Sequence, residues 1–97
     1  GINNAAVAAA WKQLNDYAGY CLDSKTNLDK GMDAAERSIA INENAGNLRI
    51  KAELLAQSGK VKEAIAVAEN AIKVGKSANP KFSPAALEKL IDEWKKK

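Results

Sequence analysis

Apolar side chains recur along this chain every three or four residues, in blocks broken by Gly, Asn, Ser and Pro. That period is helical. The clearest block is residues 47–75, where two apolar stripes stand on either side of Gly59. Leu48, Ala52 and Leu55 mark the first stripe; Val61, Ala64, Ile65, Ala68 and Ile72 mark the second. The pattern predicts two helices joined by a tight turn, with small residues where they approach closely.

The same reading extends along the chain. A first helix is predicted over 4–23, with Val7, Trp11, Leu14, Ala18, Cys21 and Leu22 as its buried stripe and Tyr17 and Tyr20 beside it. Gly19 inside it costs ~1 kcal/mol against Ala, which a close helix crossing would explain. A second helix is predicted over 28–42, started by Thr26 and Asp29 at capping-box spacing. Its apolar face is Leu28, Met32, Ala35 and Ile39, with the small residues Gly31, Ala34 and Ser38 alongside. Residues 42–47 read as a turn. A third helix follows over 45–58, ended by Gly59, and a fourth over 60–74, closed by Gly75. The longest loop spans 75–83. Ser83 as N-cap and Pro84 as first helical residue then open a fifth helix over 84–97. Its stripe is Leu87, Leu90, Ile91 and Trp94, and its Lys-only last turn suits the helix dipole.

The chain also repeats itself at an offset of 33 residues: Ala35-Glu36-Arg37-Ser38-Ile39 aligns with Ala68-Glu69-Asn70-Ala71-Ile72. Leu28, Gly31 and Met32 align with Val61, Ala64 and Ile65, and Gly19 and Leu22 with Ala52 and Leu55. A helix pair repeated at about 34 residues, with small residues spaced as in Ala52, Gly59, Ala64 and Ala71, resembles the tetratricopeptide repeat. The resemblance covers roughly 13–75. The first unit departs from the pattern: its connector has no Gly, Trp11 lies one turn early, and neither unit ends in Pro. The resemblance implies an all-α fold of antiparallel helix hairpins. It would hold two tetratricopeptide-like pairs and a C-terminal capping helix in a right-handed α-solenoid segment. A second resemblance rests on Tyr17-Ala18-Gly19-Tyr20-Cys21-Leu22, on Asn27-Leu28-Asp29-Lys30-Gly31 and on the Ala-Glu-x-x-Ile helix. These look like the helical C-terminal part of a bacterial family of unknown function, often exported, with a β-sheet domain in front. Gly1 reads as a scar of tag removal, so the 97 residues are expected to be one helical domain cut from a longer protein. Its targeting signal would lie elsewhere, leaving periplasm and cytoplasm both open.

Composition agrees with a helical fold and narrows the chemistry. The chain is rich in Ala and has only two Pro, both late. Net charge is +3, of which the terminal Lys95-Lys96-Lys97 supply the whole excess, so the balance argues weakly for nucleic acid. That terminal run reads first as a solvated tail and second as a contact for phosphate or anionic lipid, which would make the chain a basic-tail module for nucleic acid. No apolar run reaches the ~20 residues that span a bilayer. There is no His, which removes the commonest general base and metal ligand. The single Cys, Cys21, sits on an apolar stripe and reads as a core thiol. Asp29 with Asp33, and Asp92 with Glu93, read as solvated helix faces. No Gly-rich phosphate loop is present. No metal, cofactor or catalytic residue is therefore expected.

What the resemblance implies is binding by shape. The concave face of such a repeat would carry Gln13, Asp16, Tyr20, Asp23 and Ser24 from the first helix. Gly46, Arg49, Glu53, Ala56 and Gln57 would come from the third. This face has no dominant charge sign, and the Lys and Asn that hold peptide carboxylates in chaperone-binding relatives are replaced by Asp16, Tyr20, Arg49 and Glu53. The expected function is a protein-interaction or scaffold module for a protein, a peptide or a neighbouring domain. The alternative is an accessory domain of a larger enzyme or exported protein whose active part lies upstream. Trp11 and Trp94 read first as packing residues and second as interface anchors.

Overall fold

A computed structural model describes the backbone over residues 4–96 and the side chains from residue 9 onward. Five helices follow one another: α1 (Asn4–Ser24), α2 (Leu28–Ile41), α3 (Ala45–Gln57), α4 (Val61–Ala78) and α5 (Ala85–Lys95). The described residues form no strand, so the fold is all-α. The Val7 side chain and Lys97, both assigned in the sequence reading, lie outside the described residues.

Each helix packs beside the next in order, and α1 also meets α3. The assembly is a slab of 50 × 35 × 17 Å. Its short dimension fits two helices stacked at the usual ~8–10 Å separation. Two cores form, and α3 belongs to both. On one side Leu54 and Ile50 meet Ala18, Ala34 and Ala35. On the other Leu48, Ala52 and Leu55 meet Ala64, Ala68 and Ala71 of α4 and Leu87, Ile91 and Trp94 of α5. Leu54 is fully buried, although the periodicity reading placed only the Leu48–Ala52–Leu55 stripe in a core. Ile50 and Leu54, four residues apart, are the second stripe that would have shown it.

A buried polar knot sets where α3 begins. The Asn44 side chain accepts from the Asn47 backbone N–H, and the Asn47 side chain accepts from the Asn44 N–H, each at 3.0 Å. This reciprocal cap satisfies donors that the helix start leaves free. The Asn47 amide also donates to Ser38 Oγ at 3.0 Å and to the Asn42 carbonyl at 2.8 Å. Ser38 in turn donates to the Trp11 carbonyl at 2.8 Å. One fully buried Asn thus ties α1, α2 and α3 together.

Several helix ends differ from the sequence reading. α4 does not close at Gly75; it runs three residues further to Ala78. Gly75 is needed for space instead: the Phe82 ring returns over it, and a Cβ there would lie 2.6 Å from the ring. The turn that brings Phe82 back is pinned by the Asn79 side chain, which accepts from the Lys81 N–H. At the start of α2, Thr26 pairs with Ser24 Oγ rather than capping, and Asn27 takes the N-cap position with φ 52°. Lys25 is also left-handed, so the connector without Gly makes its turn with two non-Gly residues at positive φ. At α5, Ser83 does not cap; Pro84 stands at the N-cap position and Ala85 is the first helical residue. Gly59 ends α3 as expected, at φ 84°.

The close crossing expected at Gly19 lies at Gly31. A Cβ on Gly31 would stand 2.7 Å from Cys21 Cβ, whereas one on Gly19 meets Ile50 Cδ1 at an ordinary 3.6 Å. Gly31→Ala should therefore lower the urea midpoint by the equivalent of ~1–3 kcal/mol, as overpacking does. Gly19→Ala should raise it, by up to ~1 kcal/mol, because the helix gains a better former. Equal responses at the two positions would contradict this packing.

Candidate functional site

The C-terminal turn of α1, the exposed face of α3 and the end of α5 enclose a groove of about 520 Å³. That lies inside the ~300–1,000 Å³ range of ligand clefts. Asp23 and Lys25 come from the α1 end, Arg49, Glu53, Ala56 and Gln57 from α3, and Leu90 and Trp94 from α5. The three α3 polar residues share one face because they stand four residues apart, and the Asn44–Asn47 knot fixes the helix that carries them.

The sequence reading and the groove overlap in part. Asp23, Arg49, Glu53, Ala56 and Gln57 line it; Gln13, Asp16, Tyr20, Ser24 and Gly46 do not. Gln13 and Asp16 are exposed further back along α1, and Tyr20 is 67 % exposed. The Ser24 hydroxyl is occupied by the Tyr20 carbonyl and Thr26. Leu22, Lys25, Leu90 and Trp94 were not among the anticipated lining. Leu90 and Trp94 are neighbours on one face of α5, but their meeting with α3 depends on the path of the 79–84 turn. Lys25 reaches the groove from its left-handed turn, which no periodicity reports.

Charge in the groove is balanced and loosely paired. Arg49 Nε lies 3.9 Å from Glu53 Oε2, at the outer limit of an ion pair. Burial pushes the Glu53 carboxyl above its ordinary value; Arg49 opposes that rise and the Asp23 charge adds to it. A folded-state value raised above the unfolded one means that the native state holds the Glu53 proton more tightly. Stability from this group is then complete below the ordinary Glu value and declines as pH rises through the raised one. Glu53→Gln should therefore melt higher than the parent at pH 7, with the advantage vanishing near pH 3. A lower melting temperature at pH 7 would show that the Arg49 contact outweighs burial.

Outside the groove, the Asn15 Oδ1 atom is buried without a hydrogen-bond partner. Asp33 and Arg37 pair at 2.9 Å on an exposed helix face, a geometry that contributes little. Cys21 is buried against Gly31. Among the described residues no group of His, Cys, Asp or Glu gathers at metal-binding distance, and no helix is long and apolar enough to cross a membrane. Compared with known proteins, the chain matches no family model, no curated protein and no solved structure.

Proposed function

We propose that this chain is a non-catalytic protein-interaction module whose α1–α3–α5 groove holds a segment of another protein or of a neighbouring domain. In this reading it is a tetratricopeptide-like solenoid segment: α1–α2 and α3–α4 are its two helix pairs, and α5 caps the second. The observation that carries the proposal is the groove itself. Five of the residues that the resemblance assigns to the concave face line one cleft together with the Trp94 indole. Arg49 is a residue type enriched at binding hot spots, and the covered Trp94 forms part of the wall beside it. The balanced charge favours a polar peptide over an acidic chain end or a phosphate. The absence of His and the burial of Cys21 support a role without chemistry of its own.

The test is selection of binding peptides from a display library on the immobilised chain, followed by affinity measurement on Arg49→Glu and Gln57→Ala. Both side chains are exposed, so both variants should stay folded. Arg49→Glu is expected to lose about tenfold or more in Kd, equivalent to ~1.4 kcal/mol. Selected peptides that bind both variants as tightly as the parent would place the interface elsewhere.

A further inference from the structure

We propose that a second surface, the apolar groove between the start of α4 and the end of α5, docks an acidic segment of a partner protein through an apolar side chain at its centre. The groove measures about 620 Å³, with Val61, Ile65 and Trp94 among its walls. Lys60, Lys62 and Lys95 stand around it, against the single carboxylate of Glu63. Over the whole sequence basic and acidic residues number 15 and 12, so this rim is far more basic than the chain average. None of the three Lys takes part in an ion pair among the described residues. The start of α4 adds a field of the same sign, because its free first-turn N–H groups carry the positive end of the helix dipole and no side chain caps them.

Charge complementarity selects an acidic occupant, and the walls select its shape. An apolar hollow takes a Leu-sized side chain, while the surrounding ammonium groups meet carboxylates on either side of it. A nucleic acid fits less well. Trp94 is 6 % exposed and offers no open ring face for a base to stack on. A bilayer fits less well too, because the apolar atoms line a hollow rather than a protruding face. This surface is separate from the α1–α3–α5 groove, although Trp94 contributes to the walls of both.

The experiment uses a fluorescein-labelled peptide with a Leu pair flanked on both sides by Asp and Glu, titrated by anisotropy. The parent chain is expected to bind it, the exposed double variant Lys60→Glu/Lys62→Glu to bind about tenfold or more weaker, and Arg49→Glu to bind as the parent does. The same peptide with Ser for both Leu should weaken comparably. Circular dichroism checks that the variants stay helical. Undiminished binding by the Lys double variant overturns the proposal, as does no binding to the parent at ~1 mM peptide. An equal or tighter affinity for the Ser peptide, a single-stranded oligonucleotide or anionic vesicles overturns the acidic–apolar occupant. A loss at Arg49→Glu matching that of the Lys variant would mean that the acidic peptide reads net charge rather than this groove, overturning this proposal and leaving the other intact.

Discussion

A chain ended after Asn79 unfolds or self-associates under conditions where the full chain stays folded. α5 buries Leu87, Ile91 and Trp94 against the α3–α4 core, each to 7 % exposure or less. Burying one such side chain is worth roughly 1.5–3 kcal/mol. Three together approach the whole stability of a small domain, ~5–15 kcal/mol. The cut also removes Phe82, which covers Gly75. Trp94→Ala alone should cost ~3–5 kcal/mol, the usual range for emptying a buried aromatic site. Circular dichroism with analytical ultracentrifugation checks both variants. A truncated chain that stays helical, cooperative and monomeric would mean that α5 rides on the core without supporting it.

Asn47→Ala should be the most damaging single change away from the apolar core. The Asn47 side chain makes three hydrogen bonds at full burial; its loss leaves the Asn44 N–H without its acceptor and Ser38 Oγ without its donor, while the Asn42 carbonyl keeps the Asn44 Nδ2 donor. An orphaned buried group costs about 1–3 kcal/mol, so a loss of that order is expected in chemical denaturation. Asn47→Asp should not rescue it. A carboxylate would face the Asn42 carbonyl where the amide now donates, and would be buried without a cation. Serine at 38 links this knot to α1, so Ser38→Ala should weaken the contact between α1 and α3 by a smaller amount. If Asn47→Ala melts with the parent, the knot is incidental.

Much of this fold is legible in the apolar period. Helix existence, helix order and the burial of Ala35, Ala52 and Ala68 all follow from stripes of small and branched residues at helical spacing. Three things are not legible, each for a physical reason. Gly75 looks like a helix terminator, yet its role is to admit Phe82, a contact set by a turn beyond the helix. Asn47 reads as one more polar residue in an Asn-rich turn, because periodicity counts apolar positions and cannot see a satisfied polar one. α3 reads as one-sided because a single stripe is enough to pair it with α4, whereas Leu54 and Ile50 face the other core. The candidate groove divides the same way. Its α3 residues follow from spacing, while Lys25, Leu90 and Trp94 enter through connector geometry.

Whether the α1–α3–α5 groove receives a protein segment is read out by NMR. Backbone and indole N–H chemical shifts are followed by NMR while a library-selected peptide is added to the labelled full chain. The shifted signals are expected to cluster at Asp23, Arg49, Glu53 and Gln57, together with the Trp94 indole. Shifts confined to the outer faces of α2 and α4, with Arg49, Glu53 and Gln57 unmoved at saturation, would contradict it.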